Sequence, residues 1–367
     1  MRPSLSLGRI AGIRIGLHWS VLVVLGLTIW TLSETVFPRQ NPGLSESDYR
    51  GMAAAAAVLF FVSLLLHELG HALQARREGI TIEGITLWLF GGVATFRGMF
   101  PGPGTEFRVA IAGPLVSLAL GVLFAGFATL AAPPVIVDGV AFWLGYINLS
   151  LLVFNLLPAL PLDGGRILRA ALWRIHRDFA WATRIAAEAG RATGLLLVAA
   201  GVVLFLVGGM FGGAWLAFIG WFVLSAAGSE ARYAEARRAI SGLRVRDLMA
   251  PEPVSARRDS TLGEFMDSIA QETKSTAYPV LHDGRVVGLL PVRTVVALPR
   301  SEWPTRSVGE TMLGLEDAPL LAPDDELYDA LSRLAEAGVA RGLVLDGGRL
   351  AGSLAVEDVA RALETRR

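Results

Sequence analysis

The chain lacks cysteine altogether and has a single lysine, Lys274, among its 367 residues. Without thiols it can form neither disulfides nor thiolate metal sites, so a bound metal would need histidine, aspartate or glutamate as ligands. Charged residues are also scarce, at 18%, whereas 53% of the residues are hydrophobic. This is the composition of a membrane protein. The formal net charge is zero, and nothing in the charge pattern indicates binding to nucleic acid.

Long uncharged runs are abundant, and a helix needs about 20 apolar residues to cross a bilayer. The last run, Ala192 to Ser229, is long enough for two helices, and its glycine-rich segment at 208–213 predicts the turn between them. The polar N-terminal segment precedes no small-residue cleavage site, so we expect the first helix to be retained. The predicted membrane-spanning helices are 16–36, 52–77, 109–131, 139–159, 192–208 and 213–230.

Arginine is distributed unevenly between the two ends of these helices. The N-terminal segment, the pair Arg76 and Arg77, and the arginine-rich loop at 166–191 all fall on one side. The loops on the other side contain only Arg39 and Arg50. By the positive-inside rule, we expect a multi-pass protein of the plasma membrane with both termini in the cytoplasm.

The second predicted helix carries two histidines and a glutamate at a spacing that suits a metal. His67 and His71 are four residues apart, so they share one helix face and could reach one tetrahedral ion. Glu68 completes an H-E-x-x-H sequence, in which the glutamate takes a proton from a metal-bound water and passes it to the leaving amine. An ionisable residue within a membrane helix costs roughly 2.5–3.5 kcal/mol, which predicts a functional site. The alternative is a polar cluster that only packs helices together.

A second polar segment ends the fourth predicted helix, at 155–166. Its two prolines break the helix in apolar surroundings, where non-helical backbone must be buried in protein or line a cavity. We therefore predict Asp163 as the third metal ligand, which leaves the fourth position of a zinc ion open, as in catalytic sites. Asn155 could hydrogen-bond the peptide or a developing oxyanion. The alternative for Asp163, which precedes two glycines, is a simple turn residue.

Residues 80–100 alternate in polarity and are rich in β-branched side chains, which predicts a small β-hairpin with Gly91-Gly92 as its turn. Such a hairpin could offer an open strand edge to an extended peptide, or it could be a simple connector. Of the other histidines, His18 is expected at the membrane interface, with a role near the site as the alternative. His176 and His282 are expected at the surface.

The residues after 242 have the composition of a soluble α/β domain and form two similar halves, 243–305 and 306–367. Each half has a helix followed by two strands. The first half has them at about 262–271, 277–281 and 285–290, and the second at about 326–337, 342–345 and 350–354. Each half alone is too small to bury its core well, so we expect the two to pack as one unit.

HELGH at 67–71, followed about ninety residues later by NLLPALPLDGGR, resembles the site-2 protease family of intramembrane zinc metalloproteases. The resemblance covers roughly residues 1–230 of a predicted domain 1–236, including GLHWS at 16–20 and LFGGVA at 89–94. It implies one Zn²⁺ held by His67, His71 and Asp163, with Glu68 as the catalytic glutamate and Asn155 as a substrate or oxyanion contact. The family hydrolyses peptide bonds in or near transmembrane helices of membrane proteins, often after another protease has trimmed the outer domain.

The two C-terminal halves resemble a tandem pair of cystathionine-β-synthase (CBS) domains, which in other proteins bind adenine nucleotides and regulate an attached enzyme or transporter. Where that family often has Ser or Thr and then an acidic residue at the ribose contact, the first half has Pro291 and Thr294. The second half has Ala355 and Asp358, so only Asp358 keeps the carboxylate. A dimerisation module that binds no ligand is the alternative to a nucleotide site.

Together these features predict a polytopic α-helical membrane protein with about six transmembrane helices, a small β-hairpin insertion and a cytoplasmic α/β tandem CBS domain. The expected function is intramembrane zinc endopeptidase, regulated by nucleotide or by homodimerisation through the CBS pair. One alternative is a CBS-regulated metal-ion transporter or channel, in which the same histidines and carboxylates line an ion path. Another is a catalytically silent scaffold. The glutamate directly beside a metal ligand favours the protease.

Overall fold

The structure, a computed structural model, describes residues 4–89, 91–97, 100–131, 133–208, 211–272 and 275–365. The chain divides into two compact units, Met1–Ala234 and Glu235–Arg367. A short π-helical segment at Leu32–Val36 connects the first two helices. The helices that build the first unit are α1 (Ser20–Thr31), α2 (Phe37–Gln40), α3 (Glu46–Arg77), α4 (Pro103–Leu130), α5 (Val135–Asn155), α6 (Asp163–His176), α7 (Phe179–Leu206) and α8 (Phe211–Ile240). Its strands are β1 (Leu5–Ile10), β2 (Ile13–Leu17), β3 (Thr81–Trp88) and β4 (Gly91–Arg97).

Six helical segments within the described residues are long and apolar enough to cross a membrane, which confirms the predicted number. Their bounds differ from the prediction at several ends. The first begins only at Ser20, because the preceding residues form strand β2. The second begins at Glu46, where Ser45 and Asp48 form a reciprocal cap that satisfies free backbone N–H groups. The six segments are Ser20–Gln40, Glu46–Arg77, Pro103–Leu130, Val135–Asn155, Phe179–Leu206 and Gly212–Arg232.

The segment predicted as an arginine-rich loop, 166–191, is largely helical instead. Helix α6 occupies its first part, and α7 begins at Phe179 and not at residue 192. The hydropathy signal missed both stretches because arginines interrupt them. Arginine is nonetheless a good helix former, and its charge is tolerated where a helix extends beyond the apolar layer.

The predicted hairpin at 80–100 is half of a four-stranded sheet with the order β1-β2-β3-β4. The N-terminal segment supplies the other hairpin, and β2 pairs in parallel with β3 through Ile15 and Ile85. The buried side chains of these strands pack against Leu64 and Ala72 of α3. The sheet therefore lies alongside a membrane-spanning helix.

The prediction that Gly91-Gly92 forms the turn of this hairpin is wrong. Gly91 pairs with Trp88 and Gly92 with Leu87, so both glycines belong to strand β4. The physical reason is the close approach of Gly92 to helix α3, described below. A glycine in a strand often marks such a contact between backbone and a neighbouring group.

A buried ion-pair network joins three helices of this unit. Arg169 of α6 donates hydrogen bonds to Glu106 of α4, which is fully buried, and its Nη1 lies 3.4 Å from Glu230 of α8. A more exposed pair links Arg108 of α4 to Glu78 just after α3. The hydrogen bonds from Arg108 are the main reason that the pKa of Glu78 falls to about 2.

The second unit contains the two predicted halves, and their strands are interlocked. The helices are α9 (Leu262–Glu272), α10 (Val292–Val296), α11 (Val308–Thr311), α12 (Leu327–Ala337) and α13 (Val356–Thr365), with 3₁₀ turns at Val245–Asp247 and Arg300–Glu302. The strands are β5 (Ala250–Pro251), β6 (Ala256–Arg257), β7 (Ala277–His282), β8 (Arg285–Pro291), β9 (Leu313–Gly314), β10 (Leu320–Leu321), β11 (Arg341–Asp346) and β12 (Arg349–Ala355).

These strands form two sheets of the same design, β6-β7-β8-β9 and β10-β11-β12-β5. In each sheet the fourth strand comes from the start of the other half. One core cluster also combines Ala277 and Leu289 of the first half with Val339 and Leu343 of the second. The two halves therefore bury their apolar surface as one unit.

Candidate metal centre

Two helices bring the three predicted ligands together. His67 and His71 project from one face of α3, and Asp163 is the first residue of α6. All three side chains are buried. The glycines that follow Asp163 permit its placement, because a Cβ at Gly164 would overlap with the carbonyl oxygens of Leu156 and Leu157. The first turn of α6 can therefore pack directly on the irregular segment before it.

The three potential ligand atoms form an almost equilateral triangle. Oδ2 of Asp163 lies 3.2 Å from Nε2 of His67 and 3.2 Å from Nε2 of His71. The two Nε2 atoms are themselves 3.2 Å apart. Ligands at roughly 2.0–2.1 Å from a tetrahedral zinc ion are separated by about 3.3 Å, so the observed triangle matches one face of such a tetrahedron. The fourth vertex belongs to no protein ligand among the described residues.

Both imidazoles are oriented by a hydrogen bond at the ring nitrogen that faces away from the triangle. Nδ1 of His71 donates to the carbonyl oxygen of Val109, at 2.7 Å. Nδ1 of His67 lies 2.8 Å from Oγ of Ser117, which is fully buried. Since a carbonyl oxygen only accepts, His71 carries its proton on Nδ1 and presents the lone pair of Nε2 to the triangle.

Gly113 of helix α4 lies beside the two histidine nitrogens of the triangle. A Cβ added to Gly113 would overlap with Nε2 of His71 and would lie 2.7 Å from Nε2 of His67. The absence of a side chain at this position leaves a cradle of atomic size beside both imidazole nitrogens. The donor set and this cradle together fit one metal ion, and the two-histidine, one-carboxylate set is typical of catalytic zinc.

Glu68 lies next to His67 on α3 and is covered by the sheet. A Cβ at Gly92 of strand β4 would lie 2.6 Å from the Cδ of Glu68, so the strand backbone contacts the carboxylate group directly. Among the described residues, the sheet pairs β4 only with β3, so β4 is an edge strand. The free edge of the sheet therefore begins beside the predicted catalytic glutamate.

The other predicted residues occupy different places. Asn155 is the last residue of α5 and is half-buried. His18 follows β2, and its Nδ1 lies 2.8 Å from the Oγ of Ser20. His176 is exposed at the end of α6, where its ring packs against Trp181. His282 ends strand β7, with Nδ1 3.2 Å from Asp259.

Asp358, the predicted ribose contact, lies at the start of α13. Its Oδ2 is 3.8 Å from Arg341, and its Oδ1 is 3.8 Å from Arg361. A cavity of about 470 Å³ in the same unit is lined by the two halves together, but Asp358 is not among its lining residues. The carboxylate therefore faces arginines and not this cavity. The cavity is lined by Ser275, Thr276, Ala277, Pro291, Val292, Arg293, Val296, Gly338, Val339 and Ala340.

Helix α4 contributes to this site in ways that its sequence does not predict. Ser117 and the carbonyl of Val109 orient the histidines, and Gly113 leaves room beside their nitrogens. A serine within an apolar span and an Ala-Gly-Pro sequence are weak signals, since both occur wherever helices pack closely. Only the fold shows that these residues face the histidines.

A zinc-type donor set beside a glutamate, on helices that can span a membrane, defines an intramembrane metallopeptidase. A model of peptidase family M50 matches residues 55–135 and 129–200, and a CBS domain model matches residues 245–300. The putative zinc metalloprotease Rip3 of Mycobacterium tuberculosis (strain H37Rv) is 42% identical over 372 residues, covering 100% of this chain and 94% of the relative. The putative zinc metalloprotease sll0528 of Synechocystis is 32% identical, covering 100% and 97%.

A solved structure, the site-2 protease from Methanocaldococcus jannaschii, is 33% identical over 62% of this chain and 94% of its own, with a TM-score of 0.43. The identity and coverage of the two curated relatives establish the family. The chain belongs to peptidase family M50, the site-2 proteases, and is a membrane-spanning zinc metalloprotease that also carries a CBS domain.

Proposed function

We propose that this protein hydrolyses peptide bonds in or near the transmembrane segments of membrane proteins, and so acts in regulated intramembrane proteolysis. The observation that carries the proposal is the position of Glu68, beside the triangle of His67, His71 and Asp163, on helices that can span a membrane. A substrate helix embedded in the bilayer can reach such a site laterally, without leaving the membrane.

The three ligand residues would hold one Zn²⁺. When bound, the ion would act as a Lewis acid that polarises the scissile carbonyl and activates water. The hydrogen bond from Nδ1 of His71 to Val109 fixes the ring so that Nε2 is available for coordination. The contact between Nδ1 of His67 and Oγ of Ser117 orients the second ring.

Glu68 is proposed as the general base and then the general acid. Its carboxylate would accept a proton from the attacking water and pass it to the amine that leaves. Gly92 restricts the carboxylate from the side of strand β4, so the group cannot turn away freely. Asn155 is proposed as a contact of the substrate peptide or of the oxyanion, since an amide N–H can donate to either.

The free edge of β4 is proposed as the docking site for the substrate. Helical backbone shields its own carbonyl groups, so a substrate must unwind locally before it is cut. An unwound peptide could then add as a further strand beside β4, whose edge begins next to Glu68. This arrangement would place the scissile bond at the site and keep the unwound backbone hydrogen-bonded.

Proline at two successive positions of β4 tests this docking. Backbone N–H groups of neighbouring strand residues point to opposite edges, so either Val93→Pro or Ala94→Pro removes an N–H from the free edge. We expect the proline variant that lacks the edge N–H to keep its zinc and to lose most cleavage. Val93→Ala serves as a control. Wild-type turnover by both proline variants would refute docking along β4.

The direct test of proteolysis uses the full chain in liposomes with a single-span membrane protein, and identifies the new termini by mass spectrometry. Cuts within or near the span support the proposal. The rival function, a metal transporter, predicts intact substrate together with metal crossing the liposome membrane. Measuring both quantities in one preparation separates the two functions.

The CBS unit is proposed to regulate the protease, through an adenine nucleotide or through homodimerisation. The cavity formed jointly by the two halves supports a ligand-responsive unit. A ribose contact by Asp358 has less support, because the carboxylate of Asp358 lies beside Arg341 and Arg361. The arginine distribution supports a plasma-membrane protein with both termini in the cytoplasm. Titrating the full chain with ATP and AMP, with cleavage and molecular mass as readouts, tests both modes of regulation.

A further inference from the structure

We propose that Arg9 and Arg14, on the N-terminal hairpin β1–β2, form a binding site for the phosphate of an anionic lipid headgroup. No role in peptide hydrolysis requires these two residues, which lie on the two strands furthest from β4.

The two arginines are direct cross-strand neighbours. Arg9 of β1 pairs with Arg14 of β2, so their side chains leave the same face of the sheet. Both residues are exposed. Like charges placed directly opposite each other destabilise a strand pair unless an anion lies between them. Two guanidinium groups on the same face of a strand pair can both donate hydrogen bonds to one phosphate.

The part of the chain that the structure describes supplies no such anion. Within the described residues, neither Arg9 nor Arg14 forms an ion pair with a carboxylate. A third arginine lies close to the same hairpin: Nη1 of Arg76, near the end of α3, donates to the carbonyl oxygen of Ala11 in the turn. This end of the hairpin therefore has an excess of positive charge.

The position of the hairpin relative to the membrane helices indicates a lipid as the source of the phosphate. One end of β2 lies near the metal site. Leu17 at that end pairs with Leu87 of β3, which in turn pairs with Gly92 of β4, the residue next to Glu68. The β1–β2 turn, at the other end of the hairpin, contacts Arg76, which lies eight residues after Glu68 in α3. Arg76 is the last residue but one of the helix Glu46–Arg77, which is long and apolar enough to cross a membrane, so this turn lies at an end of that helix and the metal ligands lie further within it.

The experiment compares the wild-type full chain with R9Q/R14Q in detergent that contains equal amounts of phosphatidylglycerol and phosphatidylcholine. Retained lipids are counted by native mass spectrometry. The matched control is R174Q/R177Q, which removes two exposed arginines at the end of α6 and changes the net charge equally. Zinc content shows that each variant is folded, and if R9Q/R14Q does not fold, the single variant R9Q on the edge strand replaces it.

We expect the wild type and R174Q/R177Q to retain phosphatidylglycerol selectively, and R9Q/R14Q to retain about tenfold less. R9K/R14K, which preserves the charge, should retain an intermediate amount. Equal losses in the two double variants would show general charge attraction and overturn the site. Displacement of the lipid by millimolar inorganic phosphate would identify a simple anion site and overturn the lipid assignment.

Discussion

Gly113 of helix α4 and His71 of helix α3 lie so close together that a single methyl group at position 113 would overlap with Nε2 of the histidine. The same group would be 2.7 Å from Nε2 of His67. We therefore expect glycine at 113 to be required for metal binding, although it provides no ligand atom.

Gly113→Ala is predicted to abolish zinc binding and cleavage, because the added Cβ occupies the space beside both ligand nitrogens. Gly126→Ala, further along the same helix, is the matched control, since no described residue lies within 4 Å of a Cβ added there. Zinc content by atomic emission after purification of both variants is the measurement. A Gly113→Ala protein with one zinc per chain would contradict this geometry.

Ser117→Ala is predicted to weaken zinc binding by about 10–100-fold, because His67 would lose the hydroxyl that orients its ring. Competition with a chelator, measured on the folded protein, gives the affinity. Ser63→Ala is a suitable control. Ser63 is also buried, but its hydroxyl bonds to the carbonyl oxygen of Leu59 in its own helix, so zinc affinity should not change.

Glu106→Gln is predicted to lower the free energy of unfolding by about 3–5 kcal/mol, because Arg169 would lose the buried carboxylate with which it pairs. Helix α6, which begins with Asp163, would then be held less firmly against α4. Thermal unfolding in detergent measures the loss. In the control, Arg108→Gln breaks the exposed pair with Glu78 and should shift the midpoint little, since exposed ion pairs contribute roughly 0–1 kcal/mol.

The parts of the site that sequence predicts are those encoded at short range. His67, Glu68 and His71 share a helix face because helical periodicity places residues four apart together. The number of spans follows from hydropathy alone, which the six apolar helices confirm. Asp163 is predicted from the proline-broken end of the fourth helix, and the resemblance to a known family supports the same assignment, which matters because an aspartate before two glycines also occurs in ordinary turns.

The features that sequence did not predict depend on long-range contacts. The parallel pairing of Ile15 with Ile85 places the N-terminal segment in the sheet, and no local pattern encodes a partner seventy residues away. Ser117 and Gly113 become part of the site only because α4 packs across α3. Their residue types are common at any close helix contact, so their function becomes visible only in the folded chain.

The most direct test of the central claim compares zinc content and cleavage in the wild-type protein and in Glu68→Gln. Glutamine has nearly the same size as glutamate but cannot accept the proton, and Glu68 is not one of the three residues that can hold the metal. Both proteins are purified in detergent, analysed for zinc, and incubated with a single-span membrane protein. The predicted result is one zinc per chain in both proteins, with cleavage only by the wild type. Undiminished cleavage by a zinc-loaded Glu68→Gln would contradict the assignment of Glu68 as the proton-transferring group.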